Sequence, residues 1–218
     1  MSNRIKNILL WIFIVLILAV AAAYLVPKAW PNKKKAQAAT DQLITHVNNT
    51  YGFSVSYPKN RNPETTFHKY PFLNDSWIAG ATEESKGKAL LCIPIFRVTN
   101  DDSYPRYWNS EVRIGITTDS HVLHTFLTRS IYTNIPPKQE IINGITFHVF
   151  PIQEAGMMKF LSGYSYRTIH NGIGYAVEQM KTGSIHRDAI SPKDIPDSVL
   201  DVYFDQTTAI VKSFQFID

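Results

Sequence analysis

The chain has one cysteine in 218 residues, and that scarcity removes two classes of architecture. Cys92 cannot close an intramolecular disulfide, and neither a disulfide framework nor a cysteine-rich zinc site can be built from it. Also missing are the signatures of common chemistry: there is no G-x-S-x-G elbow and no P-loop. Gly172 and Gly174 supply only the first two glycines of a dinucleotide fingerprint, so they read as a hairpin turn entering a strand. No internal repeat or low-complexity tract is present, and no cofactor is expected.

Acidic residues are absent from positions 1–35, which hold six basic ones, Arg4, Lys6, Lys28, Lys33, Lys34 and Lys35. Taking these six from the 22 Lys+Arg leaves 16 against 18 Asp+Glu in the other 183 residues, a net of −2. The overall +4 therefore belongs to the N-terminal segment. A nucleic-acid partner needs cations on the folded face that meets phosphate, and no basic cluster follows Lys35. That class is set aside.

What the N-terminus does hold is a run of 19 residues, 8–26 (ILLWIFIVLILAVAAAYLV), without a charge or a side-chain amide. As a helix it is about 28 Å long, close to the roughly 30 Å hydrocarbon core of a bilayer. It reads as a membrane-spanning signal anchor behind a short basic N-terminus, residues 1–7. Tyr24 and Trp30 fall at headgroup level, with Lys33, Lys34 and Lys35 just beyond. A cleaved signal peptide is the rival, because Ala21, Ala22 and Ala23 offer a cleavage site; the run continues past them through Val26, which favours the anchor. Orientation stays open: four basic residues after the span against two before it argue for a cytoplasmic domain. A short basic N-terminus before an apolar run argues for export, and export is the preferred reading.

Residues 27–50 read as a Lys-rich linker with one short helix around 36–46. From Tyr51 onward short alternating aromatic and β-branched runs announce a folded domain, 51–218. Residues 53–57 alternate as a strand. Residues 77–81 and 89–98 flank a polar stretch and read as a hairpin, with the second strand apolar on both faces and hence central. Cys92 within it reads as a small core hydrophobe. Residues 111–118 alternate again, and 119–129 has helical spacing with Asp119 or Ser120 as cap. Asn143-Gly144 and Asn171-Gly172 mark two tight turns in a meander of about four strands. A helix opening near Asp197 and a short last strand, SFQFI, complete the pattern. The sum is an α+β fold, an antiparallel sheet flanked by helices.

Three segments, TYGFSVSYPKN, YRTIHNGIGYAVEQ and AIVKSFQFID, together resemble the PsbP-like fold, which includes LpqN-type and DcrB-type bacterial envelope proteins. The resemblance covers residues 50–218. It implies an α-β-α sandwich and an exported, usually non-catalytic accessory or binding domain, and it carries no catalytic set onto any position here. Unlike the lipoprotein members, this chain has no cysteine near its apolar run.

Among candidate site residues, Tyr104, Arg106, Tyr107 and Trp108 have the composition of protein-binding hot spots in an expected loop with Pro105. His121 and His124, three apart on a helix, could share a metal but have no third ligand by spacing. His148 reads as a surface histidine. The first functional reading is a single-pass extracytoplasmic interaction domain without catalytic activity. It would sit in the cytoplasmic membrane of a bacterial envelope through residues 8–26 and meet another envelope protein. The alternative is a carrier or chaperone with an apolar groove under a helix, and the third is a metal-assisted enzyme using His121 and His124.

Overall fold

The computed structural model describes residues 42–82, 84–97, 107–184 and 196–217. The apolar run 8–26, Tyr24, Trp30, Lys33, Lys34, Lys35, Tyr104 and Arg106 lie outside them. Among the described residues no helix is long and apolar enough to cross a membrane.

Two antiparallel sheets form the domain. The small one has the order β1 (Leu43–Asn48), β2 (Phe53–Pro58) and β9 (Gln215–Phe216). The large one has six strands in the order β3 (Lys88–Phe96), β4 (Tyr107–Thr117), β8 (Ile173–Ser184), β7 (Lys159–His170), β6 (Ile145–Gly156) and β5 (Lys138–Ile142). Among the described residues two helices accompany them, α1 (Ser120–Thr125) and α2 (Asp197–Lys212). The expected meander is present as β5-β6-β7-β8. Both Asn-Gly pairs sit at its turns with φ of 49° and 79° (Asn143, Gly144) and 49° and 75° (Asn171, Gly172), the left-handed pair that this dipeptide tolerates best. Asp119 caps α1, its carboxylate accepting from the amides of His121 and Val122.

One face of the large sheet is apolar. Val112, Ile114 and Ile116 of β4 and Tyr175 and Val177 of β8 join Phe53, Val55, Ile210, Val211 and Phe214 in the main core. Alternation along each strand turns these positions to the side on which α2 and the small sheet lie. Phe214 is its aromatic centre, stacked on Phe53 (5.4 Å between centroids) and edge-on to Phe147 (5.8 Å). Among the described residues the opposite face is covered by α1 and by irregular chain from the 59–87 segment, with Trp77, Ile78 and Phe126 packed on Ala176.

Several expectations are corrected. Residues 43–48 form a strand, not the end of a helix within a linker: Leu43, Thr45 and Val47 alternate with Ile44, His46 and Asn48, and the turn 49–52 pairs them back on β2. Residues 77–81 are not a hairpin partner of β3. They lie across the sheet, with the Trp77 carbonyl where Gly115 would carry a Cβ. β3 itself is an edge strand, not a central one. It looks central in sequence because both faces are covered, and its edge is closed by a bridge in which Glu64 and Cys92 exchange amide hydrogen bonds (2.8 and 2.7 Å). Pro94, which lacks an N–H, is tolerated at such an edge. Cys92 is buried as expected, and burial pushes its thiol well above the usual range.

Because backbone, not a flexible side chain, occupies the missing Cβ position, Gly115→Ala should destabilise the domain by about 3 kcal/mol. The shift of the urea unfolding midpoint measures it, and a change below about 1 kcal/mol would contradict this close approach.

Candidate functional site

Irregular chain laid on a sheet leaves peptide groups without ladder partners, and each one buried unpaired costs free energy. On this face the partners are charged side chains from the central strands. Arg113 on β4 donates from Nη1 to the Asn74 carbonyl (2.8 Å), from Nη2 to the His68 carbonyl (2.5 Å) and from Nε to Glu111 (2.6 Å). It is 1% exposed and lies over the ring of Phe67. Glu111 also accepts from Tyr70 Oη (3.2 Å) and from Arg97 (3.4 Å), which in turn reaches Glu64 (2.9 Å).

A second group sits on β7 and β8. Arg167 donates from Nε to Ser165 (3.1 Å) and from Nη1 to the carbonyls of Phe126 (3.3 Å) and Arg129 (2.7 Å), with its guanidinium 4.4 Å from the centre of the Phe150 ring. Burial pulls Arg167 down to about 10, against the charge of Glu178. Glu178, directly across from Ser165 in register, accepts the Ala79 amide at 2.8 Å through one oxygen, and its carboxyl is buried beside the Ser165 hydroxyl. Burial drives its carboxyl above the usual range, opposed by the Ala79 amide and the Arg167 charge. Above Arg167 opens a cleft of about 620 Å³ between the 77–85 segment on one side and α1 with residues 126–134 on the other.

A different feature stands at the end of the sheet. The hairpin joining β6 to β7 turns on two residues, Met157 and Met158, with φ of 48° and 62°. These are the same left-handed positions that the neighbouring hairpins fill with Asn-Gly. Holding ordinary side chains there costs about 1–2 kcal/mol each. Met157 is 96% and Met158 51% exposed, so neither residue recovers that cost by core packing.

Of the expected contact residues, Tyr104 and Arg106 fall outside the described part. Tyr107 and Trp108 open strand β4, so they are not in a loop: their backbone pairs with Ser184 and Gly183. Lys159 pairs with Ser184 from the other side. The first residues of β4 and the methionine turn therefore share one end of the sheet, two strands or roughly 10 Å apart. His121 and His124 are exposed on α1, and among the described residues no group of three His, Cys, Asp or Glu assembles to hold a metal. His148 is half-buried rather than free on the surface, its Nδ1 donating to the Leu127 carbonyl (3.0 Å). The buried charges escaped the sequence reading. Their signal was a charge inside an otherwise apolar strand run, Arg113 between Val112 and Ile114 and Glu178 after Ala176 and Val177.

No protein-family model matches the sequence, and no curated protein matches it. The chain is similar in structure to cyanobacterial PsbP (CyanoP) from Synechocystis sp. PCC 6803, with 10% identity, a TM-score of 0.38, and coverage of 81% of this chain and 93% of that one. A likeness at that level assigns no function.

Glu178 holds its proton more tightly when folded than when unfolded. Its contribution to stability is therefore fully present at or below the unfolded carboxyl pKa and is lost as pH rises through the raised folded value. Glu178→Gln removes the titration, so the variant should gain stability relative to the parent chain as pH rises above the ordinary carboxyl value of about 4. Urea midpoints across that range test it; a constant difference between the two proteins would refute it.

Proposed function

We propose that the protein is a single-pass, membrane-anchored extracytoplasmic interaction domain without catalytic activity, a PsbP-like accessory module of a bacterial envelope. Residues 8–26 span the bilayer, and Tyr24, Trp30, Lys33, Lys34 and Lys35 meet its surface. The partner is another envelope protein.

The observation that carries the reading is the pair of exposed methionines held in left-handed backbone at the end of the sheet. Methionine is a poor choice for that backbone and a good one for an adaptable contact, since its unbranched thioether side chain moulds to varied surfaces. Strain without a packing return in the free domain points to a return on binding. Tyr107 and Trp108, the aromatic pair singled out by composition, begin the strand at the same end. A second support is that the buried ionisable groups are committed to structure: Arg113 and one oxygen of Glu178 hold backbone groups of the covering chain. The carrier reading asked for an apolar groove beneath a helix. Under α2 that space is filled, with Val112, Ile114 and Val177 fully buried.

Replacing the turn by the dipeptide of its neighbours, Met157→Asn with Met158→Gly, should raise stability by about 1–2 kcal/mol. The same double variant should lose the partner that co-purifies with the parent chain from detergent-solubilised membranes, as should Trp108→Ala. Undiminished capture by both variants would count against this surface. For the address, an alkaline phosphatase fusion after Asp218 should be active; an intact but inactive fusion would reverse the orientation.

A further inference from the structure

The large sheet is split at one end. β6 and β7 pair without interruption from the methionine turn as far as His148 opposite Arg167, yet both strands run on beyond that pair. Ile145, Thr146 and Phe147 keep their partners on β5, and Thr168, Ile169 and His170 keep theirs on β8. Between these two trios the ladder stops. The register fixes which groups are left over. The two-residue turn makes Gly156 and Lys159 a hydrogen-bonded pair, and every second pair after it is of the same type, through His148 and Arg167. Thr146 and Ile169 come next in that series, so each turns an N–H and a C=O toward the other strand without meeting it.

The two hairpins are anchored at separate points. Asn143, at the tip of β5 and β6, donates from Nδ2 to the carbonyls of Lys212 and Phe214 (2.9 Å each). At the tip of β7 and β8 the His170 ring stacks on Phe216 (4.0 Å between centroids). A cleft of about 460 Å³ is lined by the residues of the split, a volume within the range of small-molecule sites. Phe216 lines it from the side of the small sheet, and Leu127 and Ile169 from the side of α1.

The polar lining is uncharged. No Asp, Glu, Lys or Arg of the described residues lines the cleft, so an ion entering it would shed water with no opposite charge to meet. Both histidines of the lining are engaged, His148 with the Leu127 carbonyl and Gln139, His170 with Asn171 and the Phe216 ring. The hydroxyls of Thr146 and Thr168 have no hydrogen-bond partner among the described residues. What the split offers is apolar surface beside main-chain donors and acceptors, the complement of a neutral amide.

We propose that the split between β6 and β7 binds a small uncharged molecule carrying a secondary amide on an apolar body, the amide on the peptide edges of Thr146 and Ile169 and the body against Leu127 and Ile169. The site stands at the opposite end of β6 and β7 from the methionine turn, so either can fail without the other.

The test uses the full chain in zwitterionic lipid nanodiscs with isotope-labelled isoleucine methyl groups, titrated with N-(3-methylbutyl)acetamide and with its ester counterpart, 3-methylbutyl acetate. The amide should shift the methyl signals of Ile145 and Ile169 saturably and leave those of Ile78 and Ile131, which line the other cleft, in place. The ester, which lacks the N–H, should bind about tenfold more weakly. Thr146 and Ile141 are register partners and both exposed, but only Thr146 lines the cleft. Thr146→Trp should therefore abolish the shifts, while Ile141→Trp retains them. Equal affinity for amide and ester, no saturable shift up to about 20 mM amide, or binding undiminished in Thr146→Trp would overturn the proposal.

Discussion

The covering layer of this domain is irregular chain, and irregular chain on a sheet must find partners for its peptide groups. That requirement organises one whole side of the molecule. The large sheet answers it by projecting charged side chains where apolar ones would be usual: Arg113 and Arg167 supply donors to four carbonyls, and Glu178 accepts one amide. Remove those groups and the 64–79 and 126–129 segments would lie on the sheet with unanswered backbone, each group costing about 1–3 kcal/mol. The apolar face needs fewer such devices, because α2 satisfies most of its own backbone and only its end is held from the sheet, where the Asn143 side chain donates to the Lys212 and Phe214 carbonyls (2.9 Å each).

Two departures from local rules stand out against this frame. A sequence that uses Asn-Gly at two turns of its meander, and Met-Met at the third, has chosen the costlier residues at one position only. A sheet face that pairs one buried arginine directly with a carboxylate and gives the other only a hydroxyl and two carbonyls as hydrogen-bond acceptors shows the same selectivity. Proteins consistent at every other level tend to break such rules where they meet something else. The two places differ in kind, an exposed apolar tip and a lined cleft.

Much of the architecture is legible in the residues. The Asn-Gly turns, the alternation in residues 53–57 and 111–117, the Asp119 cap and the helix opening near Asp197 each carry a local physical signal, and each is realised. Legibility stops where tertiary context decides. The continuous apolar run of β3 records burial on both faces, which central position and loop coverage produce equally. The strand-like texture of residues 77–81 records burial of Trp77, Ile78 and Ala79 without saying against what. Residues 43–48 were masked by the lysine-rich stretch before them. For the candidate site less was readable. Arg167 and Glu178 lie in the segment that carries the family resemblance, yet a single charge in a strand does not announce which carbonyls it holds. Met157-Met158 gives no turn signal, because nothing in its chemistry favours one.

The smallest element has the longest reach. β9 contributes two residues, and they pair with β2 at Phe53 and Ser54, more than 160 positions earlier. Phe214, the aromatic centre of the core, immediately precedes it. Closing a loop of nearly the whole domain is entropically late. During synthesis β1 and β2 must therefore wait, with Phe53 and Val55 uncovered, until residues 214–216 emerge. Loss of residues 214–216 would be felt at Phe53 and Ser54, and until those residues are made the half-formed core is a surface that other chains or chaperones can occupy.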